Sequence, residues 1–242
     1  MTAKQGEAHT RPGPLALVGS GEYLEAMAGL EAELIKDRAP RYVQLATAAA
    51  PEGEHRLAYW HELGRAQAIR LGVEPVIVPV HDRTDANNPE FADMVRGAGL
   101  IYLSGGDPGY LADTLRDTTV WRAIVETWGG GAALAGCSAG AMAMASWIPS
   151  LRHPRRGHTA GLGLLPHLRV VPHFDYFRRA IPHVLDHFLA PRDGTTLVGI
   201  DEETALVGGP DEWRVAGRQA AWIITGEQRT AHHPGSVLRT PR

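Results

Sequence analysis

Three short runs, Leu15-Ala16-Leu17-Val18, Leu100-Ile101-Tyr102-Leu103 and Ala132-Ala133-Leu134-Ala135, carry no charged residue. Runs of this kind are buried strands. Two further strands are expected at Tyr42–Ala46 and Pro75–Val80. The stretches between them have helical patterns, at Glu22–Lys36, His55–Leu71, Glu90–Arg96 and Asp107–Trp128. Short buried runs separated by helices make βαβ units, which close into a parallel sheet covered on both faces. The end of the chain differs. Leu197–Ile200, Thr204–Val207, Trp213–Val215 and Ala221–Thr225 are short strands with little between them, and Gly208-Gly209-Pro210-Asp211 is a turn. An antiparallel edge on the parallel sheet follows. The expected fold is α/β, a doubly wound and mostly parallel sheet flanked by helices, with antiparallel strands at the C-terminal edge. Residues 14–227 are expected to form one domain. Residues 1–13 and 228–242 have no periodicity and read as tails, although Val237-Leu238 can add a short strand.

Composition narrows the function classes. At 242 residues and 44% hydrophobic content the chain buries a core without disulfide or metal staples. Its formal charge of −3 offers no general attraction to nucleic acid or an anionic membrane. Cys137 is the only cysteine, so no internal disulfide forms. The segment Met1–Pro14 has no apolar core of a signal peptide, and no apolar run approaches the ~20 residues of a membrane span. A soluble cytoplasmic protein is expected.

The run Ala132 to Ala143 is the most informative. An apolar strand leads into Gly136-Cys137-Ser138-Ala139-Gly140, and an Ala/Met-rich helix follows. A Gly-x-Ser-x-Gly in this setting is a nucleophile elbow. The glycines permit a tight turn that lifts Ser138 above the carboxyl edge of the sheet, at a helix N-terminus that favours negative charge. Cys137 is the rival nucleophile. It sits off the centre of the motif, on the side expected to face the core. The strand ending at Leu103 runs into Ser104-Gly105-Gly106-Asp107-Pro108. Asp107 caps a helix there with Pro108 at its first position. Backbone N–H groups of Gly105 or Gly106, together with that of Ala139, are candidate donors to an oxyanion.

A serine nucleophile needs a base, and twelve histidines are available. By position His173, just past Val170-Val171, is favoured over His153, His158, His183, His187, His232 and His233. The acid of a triad belongs at another strand end, where Asp201-Glu202-Glu203 offers three choices.

These segments together resemble peptidase family S51, which contains dipeptidase E and cyanophycinase enzymes on a class I glutamine-amidotransferase-like fold. The resemblance runs from about Leu15 to Val215. It is carried by Gly105-Gly106-Asp107, Gly136-Cys137-Ser138-Ala139-Gly140-Ala141, Gly161-Leu162-Gly163-Leu164, His173-Phe174 and Gly199-Ile200-Asp201-Glu202-Glu203-Thr204-Ala205-Leu206. It implies Ser138 as nucleophile, His173 as general base and Glu202 as the acid that orients it. The dipeptidase E branch takes its acid shortly after the elbow helix. Trp147 to His153 contains none, which favours Glu202. The resemblance also implies a small peptide substrate with an acidic residue at the cleaved bond, a homodimer, and no cofactor or metal.

Several positions depart from the cyanophycinase branch. Pro108 and Pro172 stand where that branch has glutamines, and of its spaced arginines only Arg179 falls in place. A poly-aspartyl-arginine substrate is therefore not expected. Asp107, Arg178 and Arg179 are candidate substrate contacts, as are Arg152, Arg155 and Arg156, because arginine pairs bidentately with carboxylates. The expected function is a serine-type exopeptidase acting on small acidic peptides. Its alternative is a catalytically silent binding domain on the same fold. A glutaminase would need cysteine at the centre of the elbow. Gly19-Ser20-Gly21 lacks the third glycine of a dinucleotide fingerprint, and His183 with His187 lacks the glutamate of a zinc-protease helix. The segment 147–160 is a candidate lid.

Overall fold

A computed structural model describes residues 11–149, 158–180, 193–226 and 228–241. The parallel core contains β1 (Leu15–Val18), β2 (Arg41–Leu45), β3 (Glu74–Ile77), β4 (Leu100–Leu103) and β5 (Ala133–Cys137). Between and after them come α1 (Glu25–Ile35), α2 (Glu54–Arg70), α3 (Pro89–Val95), α4 (Pro108–Leu115), α5 (Thr119–Gly129) and α6 (Ala139–Met144). A hairpin, β6 (Trp147–Pro149) with β7 (His158–Ala160), precedes β8 (Leu168–Val171) and α7 (Phe174–Ala180). The remaining strands are β9 (Thr196–Ile200), β10 (Thr204–Gly208), β11 (Glu212–Gly217), β12 (Ala221–Thr225), β13 (Gln228–His232) and β14 (Val237–Arg239).

The large sheet has the order β14-β11-β10-β1-β5-β4-β2-β3. The strands β1, β5, β4, β2 and β3 are parallel, while β10, β11 and β14 run antiparallel. The fold is thus α/β with a mostly parallel sheet and an antiparallel edge. Alternate residues face opposite sides. Leu15, Leu17, Val43, Leu45, Ile101, Leu103 and Leu134 pack under α3, α4, α5 and α6. Ala16, Val18, Tyr42, Leu100, Tyr102, Ala135 and Cys137 pack under α1 and α2.

Three expectations change. Asp107–Trp128 is two helices, because Asp117 takes a left-handed φ of 61° and Thr118 caps the second by accepting from Trp121 N–H. The strands β9 and β12 leave the edge of the large sheet and join a second one, ordered β13-β12-β9-β8. The segment 228–241 is more than a tail: β13 pairs with β12, and the short strand expected at Val237-Leu238 is β14, paired with β11. At the other end Gly13 exchanges two hydrogen bonds with Trp128, so ordered chain begins before β1.

The arrangement matters for the site. The carboxyl ends of β1, β5 and β4 lie side by side, because β5 pairs with both neighbours in parallel. In the second sheet β8 and β9 are also parallel, so their carboxyl ends emerge together. The first set delivers Gly21, Ser138 and Gly105. The second delivers His173 and Glu202.

Candidate active site

Ser138 stands between β5 and α6 with φ 50° and ψ −105°, a strained conformation for a residue other than glycine. Strain of this kind costs roughly 1–3 kcal/mol and persists only where neighbours enforce it. Here they do. The Ser138 N–H donates to Val18 O at 2.9 Å. A Cβ on Gly136 would stand 2.5 Å from Gly140 C, and one on Gly140 would stand 2.3 Å from Leu103 O. Both flanking glycines are therefore required by close backbone approach, and the turn between them has one path. Cys137, one residue earlier, is fully buried on the α1 side of the sheet, where burial pushes its thiol well above the ordinary range.

His173 follows β8, also with a left-handed φ of 50°. Its carbonyl accepts the first N–H bonds of α7, from Tyr176 and Phe177. Its Nε2 lies 3.0 Å from Ser138 Oγ, and its Nδ1 lies 3.0 Å from Glu202 Oε1. The three side chains form one line from a half-exposed carboxylate through imidazole to the hydroxyl.

The acidic cluster is divided by burial. Asp201 is buried, accepts from Trp222 Nε1 and Ala220 N–H, and has its carboxyl pushed upward mainly by desolvation. Glu203 pairs with Arg218 at 2.8 Å. Glu202 alone reaches the imidazole. Its backbone is locked by three contacts: its N–H donates to Asp175 Oδ1 at 3.0 Å, and its carbonyl accepts from Thr204 Oγ1 and Gln219 Nε2 at 3.1 Å each.

The Gly-Gly turn after β4 faces Ser138. Gly106 has φ 140°, and a Cβ there would meet Ala48 O at 2.3 Å. Ala139 is the first residue of α6, where N–H groups have no intrahelical acceptor. The N–H of Gly105 differs from the expectation, because it donates to Glu22 Oε1 at 3.0 Å. That leaves the N–H groups of Gly106 and Ala139 as the candidate donors at that corner.

The remaining expected contacts are dispersed. Asp107 Oδ1 caps α4 by accepting from Tyr110 N–H at 2.9 Å. Arg178 lies over the Trp222 ring at 4.6 Å, and Arg179 is exposed. His158 stacks on Trp147. His232 lies in β13, and His233 just beyond it. His153, His183, His187, Arg152, Arg155, Arg156 and most of the 147–160 segment fall outside the described residues. Among the described residues no group of three or more His, Cys, Asp or Glu side chains is placed to hold a metal, and no helix is long and apolar enough to cross a membrane.

Two residues escaped the sequence reading. Glu22 was expected in a helix, yet Tyr23 takes φ 66° and α1 begins only at Glu25. The turn leaves Glu22 over the carboxyl edge of the sheet. Asp175, which holds the Glu202 backbone, follows His173 by two positions and carried no signal of its own.

The family model of peptidase family S51 matches residues 15–215. The chain belongs to peptidase family S51. Its S51 relatives include the cyanophycinase of Synechococcus elongatus, 31% identical over 162 residues, which are 64% of this chain and 48% of that protein. The cyanophycinase of Nostoc sp. is 31% identical over 143 residues, 55% of this chain and 47% of that one. The chain thus spans about half the length of the curated relatives it matches. Among solved structures, a peptidase from an acI-B1 Actinobacterium superimposes with a TM-score of 0.87 at 44% identity, covering 96% of this chain and 98% of the other. A putative peptidase E from Listeria monocytogenes has a TM-score of 0.60 at 18% identity, over 91% and 98% of the two chains, and shares the fold.

Proposed function

We propose that this chain is a serine peptidase that hydrolyses small peptides, acting as an exopeptidase through Ser138, His173 and Glu202. The observation that carries the reading is the continuous contact from Ser138 Oγ to His173 Nε2 and from His173 Nδ1 to Glu202 Oε1, 3.0 Å at each step, on a strained elbow.

The proposed chemistry is acyl transfer to water. His173 Nε2 takes the hydroxyl proton as Ser138 Oγ bonds to the peptide carbonyl carbon, and the carbonyl π pair moves onto oxygen. Glu202 accepts the Nδ1–H, fixes the tautomer and stabilises the imidazolium. The oxyanion is received by the N–H groups of Gly106 and Ala139, with Gly105 N–H occupied by Glu22. As the carbonyl reforms, the C–N bond breaks and His173 returns the proton to the leaving amine. Water then adds to the acyl-enzyme by the same route, releasing the acid and restoring Ser138.

The peptidase and cyanophycinase relatives support a peptide substrate, and an acidic or aspartyl peptide is the class proposed. A cytoplasmic homodimer without cofactor completes the proposal. Light scattering behind a sizing column checks the dimer. An alkyl fluorophosphonate tests the nucleophile. Intact mass should rise by one adduct on the wild type and on Cys137→Ala, and not on Ser138→Ala. An adduct that persists in Ser138→Ala would remove Ser138 from the mechanism.

A further inference from the structure

Glu22 follows Gly21 at the carboxyl end of β1 and is held by both oxygens. Oε1 accepts the Gly105 N–H at 3.0 Å, and Oε2 accepts the Cys137 thiol at 2.9 Å. A Cβ on Gly105 would stand 2.7 Å from Glu22 Oε1 and 3.6 Å from Ser138 Cβ. The carboxylate and the serine therefore flank the same glycine. The residue is only partly buried, so part of it remains accessible beside Ser138. An amide and a thiol fix its position without neutralising it. Among the described residues no Lys, Arg or His forms an ion pair with it. The nearby acids bring it no counter-charge: Glu31 lies deeper under the sheet, where burial favours its protonated form, and Glu203, across Gly21, is paired with Arg218.

An uncompensated anion beside an oxyanion site works against catalysis. The charge that develops on the carbonyl oxygen at Gly106 and Ala139 would be repelled by the partly buried Glu22 carboxylate held at Gly105. A cation brought by the substrate removes the conflict. In a peptide attacked at its first bond, the α-ammonium is two bonds from the carbonyl carbon. With that carbon over Ser138 Oγ, the ammonium falls within reach of the turn where Glu22 sits. We infer that Glu22 binds the free α-ammonium of the residue whose carbonyl Ser138 attacks, and so confines cleavage to the first peptide bond. The inference rests on the peptidase reading and supplies its selectivity for chain ends. Asp107, a helix cap, and Arg178, stacked on Trp222, are not needed for this step.

Calorimetry on the Ser138→Ala protein tests the inference without turnover, with Asp-Leu and N-acetyl-Asp-Leu as ligands. Asp-Leu should bind about 10- to 100-fold more tightly than its acetylated form, the value of one charge-assisted hydrogen bond. Adding Glu22→Gln should abolish that preference by weakening Asp-Leu alone, because glutamine keeps an oxygen for the Gly105 N–H and turns its NH2 donor to the Cys137 sulfur, while losing the charge. A loss of packing would weaken both ligands equally. Should the glutamine variant not fold, Glu22→Asp keeps the charge and should keep the preference. Equal affinity for the two ligands in the parent protein, no binding of either, or a preference that survives Glu22→Gln would each overturn the inference. The peptidase reading is judged separately by fluorophosphonate labelling of wild-type Ser138.

Discussion

Replacing Glu202 by glutamine removes one charge and little else. The backbone of Glu202 is pinned by Asp175, Thr204 and Gln219, so the new amide should occupy the same place. What changes is the partner of the imidazolium in the transition state. Two unit charges about 4 Å apart attract by about 4 kcal/mol at an effective dielectric of ~20 and by about 1 kcal/mol in water. The side chains of His173 and Glu202 are 33% and 47% exposed, which sets this pair between those limits. A loss of about 2 kcal/mol, or about 30-fold in rate, follows from electrostatics alone. The amide can also hold the wrong tautomer, an effect that in a buried Ser-His-Asp triad reaches about 10⁴-fold. The expected fall in kcat is therefore about 10²- to 10³-fold, with KM nearly constant. The assay is steady-state hydrolysis of a responsive dipeptide, with Ser138→Ala as the floor and thermal melts to verify folding. A fall of less than about fivefold would refute the reasoning that Glu202 faces a developing cation.

Three further predictions concern the surroundings of the site. Asp201→Asn should lower unfolding free energy in urea by about 1–3 kcal/mol, because an amide N–H would meet the Ala220 N–H in a buried position, while activity per folded molecule stays within about threefold. Gly106→Ala should lose about 10²- to 10³-fold in kcat together with stability, since the new Cβ meets Ala48 O at 2.3 Å on a backbone with φ 140°; wild-type kinetics would remove this turn from the oxyanion site. Glu31 is 1% exposed and its carboxyl is pushed from 4.5 to about 7 by burial. The folded protein then holds a proton that the unfolded chain has lost, so stability falls as pH rises from about 4.5 to about 7 and stays low above that. A rise of this size corresponds to roughly 3 kcal/mol. Glu31→Gln, which retains an acceptor for the Tyr42 hydroxyl, should gain stability over wild type above pH 7 and lose that part of the pH dependence; parallel pH curves for the two proteins would contradict it.

The parallel core was legible because β1, β4 and β5 are wholly buried, and burial on both faces leaves an unbroken apolar run in the sequence. The elbow was legible for a related reason. A strand, two glycines and a small-residue helix leave little freedom in what the turn can be. The second sheet was not. Gln-Arg-Thr-Ala-His in β13 has the composition of a loop, and its pairing with β12 is a tertiary fact. The break at Asp117-Thr118 was visible only as a capping residue inside a helical pattern. Among the three clustered acids, sequence position could not separate Asp201 from Glu202, because they differ in which side of the strand end they occupy. Glu22 was hidden for a further reason. An acid at the start of a helix has an ordinary role at the positive end of the dipole, and only the adjacency of β1, β5 and β4 brings it to Gly105 and Ser138.

The measurement closest to the central claim is product analysis by mass spectrometry after incubation with α- and β-aspartyl dipeptides and other short peptides. Wild type and Ser138→Ala would run side by side at matched folding, checked by circular dichroism. The account predicts cleavage by the wild type, with none by Ser138→Ala above the uncatalysed background. Equal product from both proteins, or cleavage that persists without the serine hydroxyl, would contradict it.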